Sequence, residues 1–258
     1  MNLSLPTISP RAIAVWRRNV LVWRKLSIPA LLGNFGEPLL YLLALGYGLG
    51  SFVGNIQGVS YVAFLASGIV CSSAMNTATF EGLYSAYTRM TLQQTWAGML
   101  VAPLNVDDVV LGEIIWAGTK SLISGAPILV IAALLGLVHG WSALWVLPVV
   151  LLAGISFGAM ALVITSLAKS YDFFLYYFTL IITPMLLFSG VFFPVDRMPG
   201  IVRAIAQLLP LTHAVQIVRP LMNGQPVDNL VVHLAVLLIY AAVAFYLATV
   251  LVRRRLMV

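Results

Sequence analysis

Residues 188–220 read FSGVFFPVDRMPGIVRAIAQLLPLTHAVQIVRP. The stretch lies between two strongly apolar segments, yet it is neither a membrane span nor an ordinary soluble loop. Pro194, Pro199, Pro210 and Pro220 punctuate it, and Arg197, Arg203 and Arg219 are spread through its apolar residues. Proline removes a backbone donor and disfavours helix at the residue before it. The pattern therefore predicts two half-helices, over 201–209 and 213–218, held at a membrane surface, with Pro210 interrupting the run and Pro220 ending it. Any part entering hydrocarbon needs neighbouring protein to shelter its broken backbone hydrogen bonds.

Composition places the rest of the chain in the same setting. Of 258 residues, 61% are hydrophobic and 9% are Asp, Glu, Lys or Arg, with a mean hydropathy of +1.01. A soluble domain carries about 25% charged residues, so lipid must be part of this chain's solvent. The length suits one membrane domain of several helices and leaves no room for a nucleotide-hydrolysing domain as well. The net charge of +6 would suggest nucleic acid in a soluble protein; here its distribution matters more than its sum, and membrane lipids are the expected surroundings.

Polar breaks separate six candidate spans, at 31–51, 61–85, 113–137, 144–167, 173–193 and 230–252. Each is near the ~20 residues that cross a hydrocarbon core, whereas barrel strands would be ~9 to 11 residues long and alternating. The expected fold is an all-α polytopic membrane protein, one domain over 1–258. It has six transmembrane helices, an interfacial helix over 10–26, and an external helical hairpin or re-entrant element over 194–220 between spans five and six. Arg11, Arg17, Arg18, Arg24 and Lys25 precede the first span, Arg89 and Lys169 follow the second and fourth, and Arg253, Arg254 and Arg255 follow the sixth. By the positive-inside rule both termini are cytoplasmic. Loops 52–60 and 138–143 carry no Lys or Arg, while the fifth loop is the exception. The first apolar run begins too late and continues too far for a cleavable signal core. Residues 10–26 interleave arginines with Trp16, Val20 and Trp23, as an interfacial amphipathic helix does.

Among the groups that could carry chemistry, Cys71 stands alone and reads as small apolar filler. No metal-ligand spacing joins His139, His213 and His233, so His213 reads as a hydrogen-bonded structural histidine. Ionisable residues in or near the bilayer are costly and are functional candidates: Glu37, Glu81, Glu113 and Lys120. Glu113 and Lys120 share a helix face about two turns apart, at ~10 Å of rise, so each needs a partner on another helix or snorkels to the interface. Tyr171, Phe173, Phe174, Tyr176, Tyr177 and Phe178 crowd the start of span five and could stack on sugar faces or form an interfacial belt. Gly154 and Gly158 have the spacing of close helix approach. In the loop over 88–107, a short helix is expected around 91–99, broken by Pro103. Asn105, Asp107 and Asp108 would start the next helix by accepting free backbone N–H groups.

The chain resembles ABC-2 type transporter permeases, and among them those of saccharide and lipooligosaccharide exporters. The resemblance spans nearly the whole chain, from the basic amphipathic start to the basic C-terminal stop. It is carried most specifically by LQQTWAGMLVAPLNVDDVVLGEI at 92–114 and by FSGVFFPVDRMP at 188–199 followed by LLPLTHAVQIVRP at 208–220. It implies an inner-membrane, multi-pass transport subunit that pairs with a second copy and two cytoplasmic ABC ATPase subunits, and that moves a lipid-linked saccharide outward. Thr91, Leu92, Gln93, Gln94, Trp96, Met99 and Pro103 would form the coupling element. Glu37, Glu81, Lys120, Tyr171, Phe174, Tyr176, Tyr177, Phe178, Arg197, Arg203, His213 and Arg219 would be gate or substrate contacts. No Gly-x-x-x-x-Gly-Lys-Ser/Thr loop is present, so no catalytic residue or cofactor is expected here, and ATP and magnesium belong to the partner. Capsule or O-antigen saccharide, drug and other lipid export remain open, as does a membrane enzyme or scaffold.

Overall fold

The computed structural model describes residues 4–25, 27–56 and 58–256; the side chains of 27–35, 37 and 38 lie outside the described residues. Apart from a hairpin of two-residue strands, β1 (Asn55–Ile56) and β2 (Val59–Ser60), the described secondary structure is helical. Eleven α-helices follow in chain order: α1 (Ala12–Arg24), α2 (Ser27–Val53), α3 (Tyr61–Phe80), α4 (Thr95–Leu100), α5 (Val106–Leu134) and α6 (Val146–Leu167), then α7 (Asp172–Tyr177), α8 (Thr183–Phe188), α9 (Gly200–Ala206), α10 (Pro210–Met222) and α11 (Leu230–Leu256).

Among the described residues, four helical rods are long and apolar enough to cross a membrane: Tyr61–Leu92, Val106–Leu134, Trp141–Leu167 and Leu230–Leu256. The pair α9 and α10, bent by 86°, would make a fifth if counted as one span. The remaining apolar helices, Leu39–Val53 within α2 and Asp172–Phe188, are shorter. The chain is thus an all-α polytopic membrane protein whose described residues supply four spans, or five, by length and composition.

Several boundaries differ from those expected. The second rod, meaning the Tyr61–Leu92 segment that corresponds to the expected second span, does not stop near residue 85 but continues past α3 through two π turns, Glu81–Ser85 and Thr88–Leu92. The first of them is pinned from outside: Thr165 Oγ1 donates to the Gly82 carbonyl at 2.7 Å. The next helix starts at Val106 rather than 113, because Asp108 Oδ2 accepts the Asn105 N–H at 3.0 Å and closes its first turn. Asp107, expected to act likewise, instead forms a buried ion pair with Arg253 and accepts from the Thr7 N–H and hydroxyl, each at 2.8 Å. Span five is helical only to Phe188, where Ser189 and Gly190, the latter at φ +79°, turn the chain.

The stretch 188–220 also folds differently in detail. Pro210 begins α10 rather than merely interrupting a run, since a helix's first positions need no N–H partner. Pro220 does not end it; the helix runs to Met222 and closes with the Asn223 N–H on the Arg219 carbonyl. Nor is α10 a surface helix: Leu211, Thr212, His213, Val215, Ile217 and Val218 are buried against α3, α6 and α11.

Glycines set the closest approaches. A Cβ at Gly68 would lie 2.6 Å from the Val191 carbonyl, so the absence of a side chain lets the chain after α8 approach α3 closely there. A Cβ at Gly112 would meet Val15 Cβ at 2.6 Å, which is how α1 lies directly on α5. The Gly154 and Gly158 pair faces α5 as well, Gly158 against Ala117. That spacing therefore packs helices within one chain.

Candidate functional site

The π turns of α3 bring a charged network together. Arg89 donates from Nη2 to Glu81 Oε1 at 2.7 Å and from Nε to Glu113 Oε1 at 3.0 Å, while Lys120 Nζ donates to Glu81 Oε2 at 2.7 Å. The indoles complete the carboxylates: Trp116 Nε1 donates to Glu81 at 2.9 Å and Trp96 Nε1 to Glu113 at 3.1 Å. Glu113 and Lys120 thus do not pair with one another, and each finds a partner in the π turns that follow α3. A charge at this depth costs several kcal/mol unless paired and hydrogen-bonded, and all four charges here are.

On one side of this network is a cleft of about 580 Å³ between α2, α3, α5 and the helices from α7 to α8. Ser72, Ser73, Asn76 and Thr77 of α3 line it and recur at helical spacing on one face. Thr183, Tyr41, Phe80 and Phe178 close the other walls, and Lys120 lies at one edge. On the other side is a second pocket of about 370 Å³, bounded by Arg18, Asn19, Val22 and Trp23 of α1 and again by Glu81, Arg89 and Lys120. Lys120 is a wall of both. Burial and the neighbouring Arg89 hold the pKa of Arg18 below the ordinary arginine value.

α1 is anchored over this region. Trp16 Nε1 donates to Thr119 Oγ1 at 2.9 Å, Arg11 Nη1 to the Pro103 carbonyl at 3.0 Å, and Trp23 meets Trp116 edge-on at 6.2 Å. Two of the three C-terminal arginines, Arg253 and Arg255, are bound inside rather than simply solvated, while Arg254 is exposed. Arg253 holds Asp107 and the Ser4 carbonyl, and Arg255 Nη1 caps α6 by donating to the carbonyls of Thr165, Ser166 and Ala168.

The residues of the loop over 88–107 divide. Thr91 and Leu92 end the second rod, Gln93 and Gln94 form an exposed break with Gln94 at φ +49°, and Trp96 and Met99 belong to α4. Trp96 is fully buried, whereas Leu92, Gln93 and Pro103 are exposed.

The aromatic group does not line one passage. Tyr171 stacks on Tyr84 at 5.9 Å and shares a 2.6 Å hydrogen bond with Thr88, and Phe174 is buried between Tyr84 and Tyr87. Phe178 packs on Phe80 at 4.6 Å and faces the cleft. Tyr176 is 64% exposed on another face, and Tyr177 is buried with its hydroxyl unpartnered. Glu37 lies outside the residues whose side chains are described.

At the opposite end, Arg197 and Arg203 are exposed, Arg203 donating to the Asp196 carbonyl. Arg219 is turned inward: it donates to Ser67 Oγ at 3.1 Å and the Gly190 carbonyl at 2.7 Å, with its guanidinium 3.5 Å from the Phe64 ring centre. His213 is held through both ring nitrogens, by His233 Nδ1 and the Gln207 carbonyl, each at 2.8 Å. The structure thus unites Glu81 and Lys120 in one place and leaves Arg197, Arg203, Arg219 and His213 in another. Ser72, Ser73, Asn76, Thr77, Thr183, Arg89 and Trp116 were not anticipated as site residues, although polar residues at i, i+1, i+4 and i+5 inside an apolar run are a readable signal.

The profile of the ABC-2 type transporter family matches residues 11–223. Nodulation protein J of Rhizobium leguminosarum bv. viciae is 48% identical over 254 residues, which is 98% of each chain. Proteins of the same name from Rhizobium leguminosarum bv. trifolii and Rhizobium meliloti (strain 1021) are 49% and 46% identical, each over 98% of this chain and 97% of the relative.

Proposed function

The chain belongs to the ABC-2 type transporter family, and from that premise we propose that this permease carries a lipochitooligosaccharide or related lipid-linked saccharide outward across the bacterial inner membrane. The chain is a transport subunit and not the ATPase. Its likeness to proteins named Nodulation protein J supports the saccharide class, and the observation that carries the reading is the cleft beside Lys120. Its volume lies within the ~300–1,000 Å³ of small-molecule sites. Hydroxyls and an amide on one wall face aromatic rings on another, which suits sugar hydroxyls and sugar C–H faces together.

The working unit in this reading is two permeases with two cytoplasmic ABC ATPases, the counterpart here being nodulation protein I. α2 and the helices from α7 to α8 complete six spans, with α9 and α10 as the external or re-entrant element. The basic flanks support cytoplasmic termini. α4 and the exposed residues around it receive the ATPase's push, and the bond from Trp96 to Glu113 supports passage of that push to α5 and α3. ATP binding then shifts the pair from inward- to outward-facing, and transport depends on the cargo's difference in affinity between the two states.

Reconstitution of both subunits in proteoliposomes tests this. ATP-dependent movement of a defined lipochitooligosaccharide, in preference to a simple amphiphile, is the expected result. Equal movement of both would point to a drug or general lipid exporter, and saccharide-dependent covalent chemistry without any ATPase would point to an enzyme.

A further inference from the structure

The pocket between α1 and the π turns that follow α3 holds two buried donors, Asn19 Nδ2 and Trp23 Nε1, that no acceptor among the described residues satisfies. Its carboxylate, Glu81, is already saturated, one oxygen by Arg89 and Trp116 and the other by Lys120. Arg18 has no such partner: its guanidinium donates to Asn19 Oδ1 at 3.0 Å, and among the described residues no carboxylate lies within ion-pair distance of it. Asn19 is 3% exposed, and its Nδ2 has no acceptor. The buried Trp23 Nε1 has none either. A cation and two orphaned N–H donors on one wall, with Arg89 and Lys120 opposite, call for a ligand carrying negative charge and several acceptor oxygens. A phosphate group meets that description.

Position narrows the source. α1 is an interfacial amphipathic helix, and Val22 and Trp23 bring apolar surface to the same pocket. That is the depth at which phospholipid headgroups lie. We propose that the pocket binds the phosphate headgroup of an anionic phospholipid of the cytoplasmic leaflet, with Arg18, Asn19 Nδ2 and Trp23 Nε1 as its donors. A bound headgroup ties α1 to the π turns of α3 beside the Glu81–Arg89 pair. The inference rests on the cytoplasmic placement of α1 in the proposed function and is independent of the cargo.

The test uses the permease–ATPase complex in nanodiscs of phosphatidylcholine with and without phosphatidylglycerol, and native mass spectrometry reads the lipid retained. Preferential retention of phosphatidylglycerol is expected, weakened about fivefold in Arg18→Gln and measurably in Asn19→Ala. Arg17→Gln, on the exposed side of α1, should stay within about twofold of the parent. Should Arg18→Gln fail to assemble, Trp23→Phe removes one donor, keeps the ring area, and carries the same expectation. Equal losses in the Arg17 and Arg18 variants would mean diffuse surface attraction and would overturn the proposal, as would unchanged retention in Asn19→Ala and Trp23→Phe. A third arm adds millimolar inorganic phosphate: binding of phosphate at Arg18 with no lipid preference would overturn the lipid source. A complex that retains phosphatidylglycerol but does not move lipochitooligosaccharide would refute the cargo reading alone.

Discussion

Trp96 Nε1 donates to Glu113 Oε1 at 3.1 Å, and this bond joins the six-residue α4 to the long helix α5. Glu113 also receives Arg89, so the contact reaches the end of the second rod. A short helix is a weak element on its own, and α4 is held to α5 through this bond and through the burial of the Trp96 ring; in the proposed coupling it is the handle.

Trp96→Phe keeps most of that ring area and removes the N–H. A hydrogen bond to a charged group is worth about 1.5–3 kcal/mol, so the handle should loosen while the subunits still assemble. The expected outcome is a severalfold fall in saccharide moved per ATP hydrolysed, measured in proteoliposomes. An unchanged ratio would detach α4 from coupling.

Arg89→Met leaves two buried carboxylates without their shared guanidinium, and breaking such a pair costs about 3–5 kcal/mol. The double variant Arg89→Met with Glu113→Leu leaves Glu81 with Lys120 and removes the stranded charge. Thermal unfolding in nanodiscs should therefore place the double variant well above the single one. If both unfold together, the network's cost lies in packing and not in charge.

A Cβ at Gly158 would come 2.6 Å from Ala117 Cβ. Overpacking of this kind costs about 1–3 kcal/mol, and Gly158→Ala should lower the unfolding temperature while leaving dimer cross-linking yields intact. Loss of cross-linking with an unchanged unfolding temperature would reassign the glycine pair to the contact between subunits.

The fold was legible where one physical signal dominated. Apolar length marked the rods at 61–85, 144–167 and 230–252 without any knowledge of packing. The signal failed where a partner distant in sequence decides the outcome. The second rod outlasts its apolar run because Arg89 is paired with Glu81 and Glu113, which makes a charged turn tolerable as helix. Asp107 looked like a helix cap because its sequence neighbours are caps, and Arg253, 146 positions away, takes it instead. Proline rules marked residues 210 and 220 but not their effect, since one falls at a helix start and the other in a last turn closed by Asn223. For the site, Glu81 and Lys120 were legible from their cost in a bilayer; the small polar residues beside them carry no charge and were not singled out.

Tyr176 and Tyr177 were equivalent in sequence and are opposite in space. The Tyr177 hydroxyl is buried without a partner, so Tyr177→Phe should raise stability by about 1 kcal/mol in the isolated subunit. The exposed Tyr176 should tolerate the same change without effect on unfolding. Loss of saccharide transport in a stabilised Tyr177→Phe would mean that the hydroxyl finds its acceptor only in the loaded complex.

Asn76 and Thr183 stand on different walls of the cleft, one on α3 and one on α8. Asn76→Ala and Thr183→Val remove polar groups from a space that a purely apolar cargo would not require to be polar. If a saccharide passes here, each change removes hydrogen bonds worth about 1 kcal/mol apiece. Transport of lipochitooligosaccharide should then fall about fivefold at limiting concentration, with ATPase activity in the absence of cargo retained. A simple amphiphile gains or loses little, because its chain makes no use of those groups. The comparison separates selectivity from a general defect: equal losses for both cargoes would mean that the variants disturb the cleft's walls in general, and no loss for either would move the path away from this cleft.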